Sequence, residues 1–192
     1  MQSNKVQNIE KVQSSITMIV LLVSFSMLFA TLFLGYMVYR VRATVWPPMG
    51  MNDLGLVYPL VSTVIIFLSS AAYYLFENKV NSQKINDAKS YLFTSFALGL
   101  GFCASQFLVW RDLAIRGITQ SSGVFGSMLY GFTWIHIAHV AVGILLLFWM
   151  AHKVRGLVQV EYRDMLRVKN VGMFWHFLGL VWLIMFLGLF VF

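Results

Sequence analysis

Apolar positions in this chain fall into five long blocks, approximately residues 16–39, 56–76, 91–110, 126–150 and 171–192, with short polar segments between them. A run of about 20 apolar residues is the length that crosses the hydrocarbon of a bilayer. Lipid offers the backbone no hydrogen-bond partners, so a spanning segment is either a helix or a strand of a closed barrel. Barrel strands alternate apolar and polar positions, and these blocks do not. The pattern predicts an all-α integral membrane protein: a five-transmembrane-helix bundle spanning residues 15–192 as one domain. Residues 1–14, polar and mixed in charge, are expected to form a tail with little fixed structure.

Composition agrees: 59% of residues are hydrophobic and 11% charged, where soluble domains run to about a quarter charged. The first apolar block is too long for a signal-peptide core and has no Ala-x-Ala exit, so it reads as a retained span. Charge then sets an orientation. If five helices alternate, one face carries ten basic residues, among them Lys79, Lys84, Lys153 and Arg167, and the other carries four, Arg40, Arg42, Arg111 and Arg116. Cytoplasmic loops carry the basic excess, which places the N-terminus in the cytoplasm and the C-terminus in the periplasm. These basic residues are split among short juxtamembrane segments that meet anionic lipid first, which argues against a nucleic-acid surface. The single Cys103 permits no intrachain disulfide.

Residues 120–149 are the stretch around which the chain is expected to be organised. Small residues, including Ser121, Ser122, Gly123, Gly126 and Ser127, lead into an apolar helix that carries His136 and His139. Residues three apart share a helix face. Gly123 is expected to need a permissive backbone where that helix starts. Ser62 and Ser69, seven apart and followed by Ser70, mark one face of the second helix as a helix contact. Gln106 is the amide at depth in the third, expected to bond to a neighbouring helix. Arg111 and Asp112 are expected to form an exposed pair. Trp46, Pro47 and Pro48 hold the first connection extended, as a stiff spacer or a docking element.

An intramembrane histidine is a site hypothesis by default. His136, His139 and His176 admit three readings. They bond to hydroxyls, carbonyls or each other and lock helices together; or His139 and His176, from different helices, ligate haem; or they form a zinc or copper site, for which no intramembrane carboxylate is at hand.

Taken together, Ser121-Ser122-Gly123-Val124-Phe125-Gly126-Ser127, then His136-x-x-His139-Val140, then Trp175-His176-Phe177 with Trp182 beyond it, and Trp46-Pro47-Pro48 with Pro59, Thr63 and Ser69-Ser70 upstream, resemble subunit III of haem-copper oxidases over roughly residues 15–192. The resemblance implies an accessory, non-catalytic subunit of a bacterial plasma-membrane terminal oxidase. It implies a chain that packs on subunit I in a complex that also contains subunit II, holds phospholipids in its clefts, supports proton translocation and binds no haem or copper of its own. The long form of the family has seven helices, and this chain would begin at the third. Where the family usually has a carboxylate in that helix, Phe25 stands here; where it has an aspartate after Trp-His-Phe, Gly179 stands near. Both put a carboxylate-dependent proton role in doubt. Readings kept beside this one are subunit III of a quinol oxidase, an accessory subunit of a nitric-oxide reductase and, in another class, a small membrane cytochrome b or transporter.

Overall fold

The computed structural model describes residues 2–44, 55–155 and 161–191. Among the described residues there are five helices: α1 (Gln2–Arg42), α2 (Val57–Asn81), α3 (Ile85–Ile115), α4 (Val124–Arg155) and α5 (Tyr162–Phe186), the last continuing into a π-helical turn, Leu187–Val191. Every one is long and apolar enough to cross a membrane, and no strand occurs among the described residues.

The helices overrun the apolar blocks at nearly every end. The first begins at Gln2, so the polar segment expected as an irregular tail is helical and continuous with the span. Between α2 and α3 the charged connection shrinks to residues 82–84, closed by Ser82 N donating to Asn78 O (3.1 Å) and Lys84 N to Lys79 O (3.0 Å), with Gln83 at φ +58°. Much of the basic segment after α4 is likewise the first turns of α5. There Asp164 sits between Lys153 Nζ (2.9 Å) and Arg167 Nη1 (3.2 Å), pinning the end of α4 to the start of α5. Asp112 pairs with Arg116 (2.8 Å), one turn on, and not with Arg111; adjacent residues on a helix face different ways.

The hub is α5, not α4. Buried residues make up 61% of the most apolar stretch of α5, 28% of that of α4 and 6% of that of α1. The C-terminal helix thus meets protein on most of its circumference. Its Trp175 indole lodges between two glycines: a Cβ at Gly99 of α3 would lie 2.9 Å from the ring, and one at Gly143 of α4 2.8 Å from it. Small residues at such crossings let membrane helices approach closely. By contrast α1 leans on the bundle along one edge. Tyr36 Oη donates to Gly188 O (3.0 Å), Asn170 Nδ2 donates to Ser14 Oγ (2.6 Å), and Phe33 and Tyr36 set their rings against Phe132 of α4.

Candidate functional site

Polar side chains at depth gather along α2, facing α3 on one side and α5 on the other. Toward α3, the Ser62 and Ser105 hydroxyls meet at 2.7 Å, and Ser69 and Ser95 donate to each other's backbone carbonyls at 2.7 and 2.9 Å. Seven-residue spacing on α2 therefore does mark a contact face, as its sequence suggests.

Toward α5 the contacts form an antiparallel ladder. Trp182 Nε1 donates to Thr63 Oγ1 (2.9 Å), Trp175 Nε1 donates to Ser69 Oγ (3.2 Å), His176 Nδ1 meets Ser70 Oγ at 2.5 Å, and Tyr73 Oη donates to Val168 O (2.9 Å). In these four contacts, polar groups that would be costly in hydrocarbon satisfy one another between helices. Trp175, His176 and Trp182 take part because positions 175 and 182 share a face and 176 lies beside it.

The three histidines, alike in sequence, have different surroundings. Among the described residues, His176 is the one whose hydrogen bond crosses between helices. The Nδ1 of His139 meets the Ile135 carbonyl of its own helix (2.7 Å), and its ring packs edge-on to Phe25 (4.5 Å between centroids) and near Phe29 (5.6 Å). Phe25 is the residue standing where the family resemblance led one to expect a carboxylate. His136 is fully buried among Phe29, Phe102 and Trp182, its centroid 5.6 Å from the Trp182 ring, and neither ring nitrogen has a hydrogen-bond partner among the described residues. Gln106 departs from expectation in the same way: it is buried, and neither amide atom meets a partner on any described helix.

As a haem pair His139 and His176 do not fit, because one ring is packed against α1 and the other is bonded to α2. No three His, Cys, Asp or Glu side chains converge as a metal set among the described residues.

The segment before α4 is folded onto that helix's first turns. Ser122 Oγ donates to Gly117 O (2.9 Å) and accepts from Thr119 N (2.7 Å); Ser127 Oγ donates to Gln120 O (2.7 Å), and Tyr130 Oη to Ile118 O (3.0 Å). Gly123 has φ +97° directly before Val124, and Gly126 lies so close to the Thr119 carbonyl that a Cβ there would collide with its oxygen. A left-handed backbone costs a β-branched residue at least ~1–2 kcal/mol. Gly123→Val is therefore expected to destabilise the turn by that amount, measured as earlier loss of the chain from its complex on heating; unchanged loss temperature would contradict the turn's role.

Trp46, Pro47 and Pro48 lie outside the described residues. Sequence reasoning passed over Ser95, Ser105, Tyr73 and the Trp110–Thr133 pair (Nε1 to Oγ1, 3.1 Å). The seven-residue hydroxyl spacing of α2 was the available signal for the first two, since an antiparallel partner must answer it.

These features define a class: a polytopic helical membrane subunit whose tryptophans, serines and one histidine are engaged in holding helices together. The sequence profile of the cytochrome c oxidase subunit III family matches residues 4–192. Among relatives, cytochrome c oxidase subunit 3 of Synechocystis sp. is 27% identical over 88% of this chain and 71% of its own length, and that of Thermostichus vulcanus 26% identical over 91% and 85%. The cytochrome bo(3) ubiquinol oxidase subunit 3 of Pseudomonas aeruginosa is 30% identical over 83% and 75%. The chain belongs to the cytochrome c oxidase subunit III family. It is subunit III of a haem-copper oxidase, a multi-pass protein of the bacterial plasma membrane that works in complex with other oxidase subunits.

Proposed function

We propose that this chain is the accessory, non-catalytic subunit that packs on subunit I of a respiratory terminal oxidase reducing oxygen to water, in a complex that includes subunit II, and that it preserves the working complex while haem and copper are held by its partners. The observation that carries this reading is the α2–α5 ladder, in which Trp175, His176 and Trp182 are all bound to hydroxyls of the neighbouring helix. Residues committed in this way hold shape and leave electron transfer to other chains. The ten-to-four split of basic residues supports an N-terminus in the cytoplasm and a C-terminus in the periplasm.

An apolar groove of about 440 Å³ between α1 and α5, lined by residues such as Phe29, Phe33, Met37, Phe177, Leu180 and Ile184, supports phospholipid binding: its walls suit an acyl chain. The 30% identity to a ubiquinol oxidase subunit favours, as a second reading, a complex that takes electrons from quinol.

Affinity purification of the tagged chain tests this. It is expected to bring down a haem-copper subunit and oxygen consumption with cytochrome c or quinol as donor, the donor deciding between the two readings. Co-purification with a nitric-oxide-reducing complex, or a haem Soret band on the isolated chain, would overturn both.

Removing the His176–Ser70 bond with His176→Leu is expected to cost about 0.6 kcal/mol, at most about 1.7, in line with hydrogen bonds inside membrane bundles. Subunit retention in detergent should fall while iron and copper per assembled complex stay constant. Loss of one metal per complex would show that the ring is a ligand.

A further inference from the structure

We propose that the bundle core holds one or two ordered water molecules between Gln106 of α3 and His136 of α4. Two contacts fix the register of these antiparallel helices. The Trp110 indole donates to Thr133 Oγ1 at 3.1 Å, and the Phe102 ring stands edge-on to His136, centroids 6.0 Å apart. Gln106 is four residues from both Phe102 and Trp110, hence on their face, and Thr133 and His136 lie three apart on theirs. The two contacts therefore place Gln106 between the levels of Thr133 and His136, with His136 within about one and a half turns along the facing helices.

Each side chain is 1% exposed, and together they present four polar atoms without a hydrogen-bond partner among the described residues. Hydroxyls nearby are already engaged. Thr133 Oγ1 donates to carbonyls of its own helix and accepts from Trp110; Ser105 is occupied by Ser62 and the Phe102 carbonyl; Thr63 accepts from Trp182 and donates to Pro59 O. Phe29, Phe102 and Trp182 wall the imidazole with rings. Buried polar groups with no protein partner are where internal water is found, typically with about three hydrogen bonds per molecule. The chemistry is complementary: a neutral imidazole offers one donor and one acceptor, an amide both kinds, and water can accept from one group while donating to the other.

Electron cryomicroscopy of the intact oxidase complex, at a resolution that shows ordered solvent, is expected to reveal density within hydrogen-bond distance of both side chains. Direct contact between the Gln106 amide and a His136 nitrogen, or apolar atoms closing on both, overturns the proposal. Variants give a second readout. Gln106→Leu and His136→Phe are each expected to lower retention of the chain in the complex about tenfold, because each leaves the remaining group and the water short of partners. The double variant should recover most of that loss. Unchanged or improved retention in the single variants means that both groups sit dry, and overturns the proposal; where a single variant yields no complex, the wild-type density decides.

Discussion

Trp175→Ala is expected to cost the bundle about 3–5 kcal/mol, the range for removing a large buried aromatic. The indole is fully buried at the three-helix junction of α3, α4 and α5, and its Nε1 is the donor to Ser69. Truncation opens a cavity there that is hard to refill, since two of the facing residues, Gly99 and Gly143, have no side chains to relax inward. It also strips a donor from the Ser69 hydroxyl, a smaller loss because Ser69 retains its bond to Ser95 O. The measurement is the denaturant-dependent loss of the chain from the purified oxidase, compared with Ser69→Ala. A Trp175→Ala effect no larger than that of Ser69→Ala would show that the wedge contributes little.

Gly143→Leu attacks the same junction from the opposite side and is expected to be comparably damaging. A Cβ alone would lie 2.8 Å from the Trp175 ring and 2.9 Å from a Leu178 methyl, so four added carbons must push α4 away from α5. Overpacking a filled core costs about 1–3 kcal/mol where side chains can adjust; here an indole held by a hydrogen bond cannot swing clear, and the upper end is expected. Because both substitutions act on one space, they should not add: Gly143→Leu combined with Trp175→Ala is expected to be milder than the sum. Strict additivity in that double-mutant cycle would mean that the two residues do not share the junction.

Much of the architecture is legible in the amino-acid order, for a physical reason. Hydrocarbon leaves the backbone no option but helix, so five apolar blocks had to become α1 to α5. Helix ends were not legible from the same signal. Hydropathy falls where water begins, whereas hydrogen bonding along the helix continues through polar residues such as Gln2–Ser14 and Tyr162–Asn170, which hold helix as readily in water. The hub was misplaced for a similar reason. Two histidines at depth drew attention to α4, but which helix sits in the middle depends on pairing between elements. The clue was the seven-residue spacing of Trp175 and Trp182, nearly matched in the reverse direction by the six-residue spacing of Ser69 and Thr63.

The histidines show the limit of face arguments. Three residues of α-helix amount to about 60° of rotation short of a full turn. That is enough to set His136 against Phe102 and Trp182 and His139 against Phe25, with Phe29 shared between them. One face in sequence became two environments, and of the three imidazoles expected to fasten helices by hydrogen bonds, His176 is the one that does so across an interface.

The footing of α1 also bears on biogenesis. Its polar anchors, Tyr36 to Gly188 and Ser14 to Asn170, join positions more than 150 residues apart, so both partners are synthesised well after α1. During translation at about 5–20 residues per second, the first span can set its rings against α4 but must wait many seconds before its polar anchor sites exist. A nascent chain arrested before Tyr162 should leave α1 open to crosslinking with the insertion machinery, and release of that crosslink should coincide with emergence of α5.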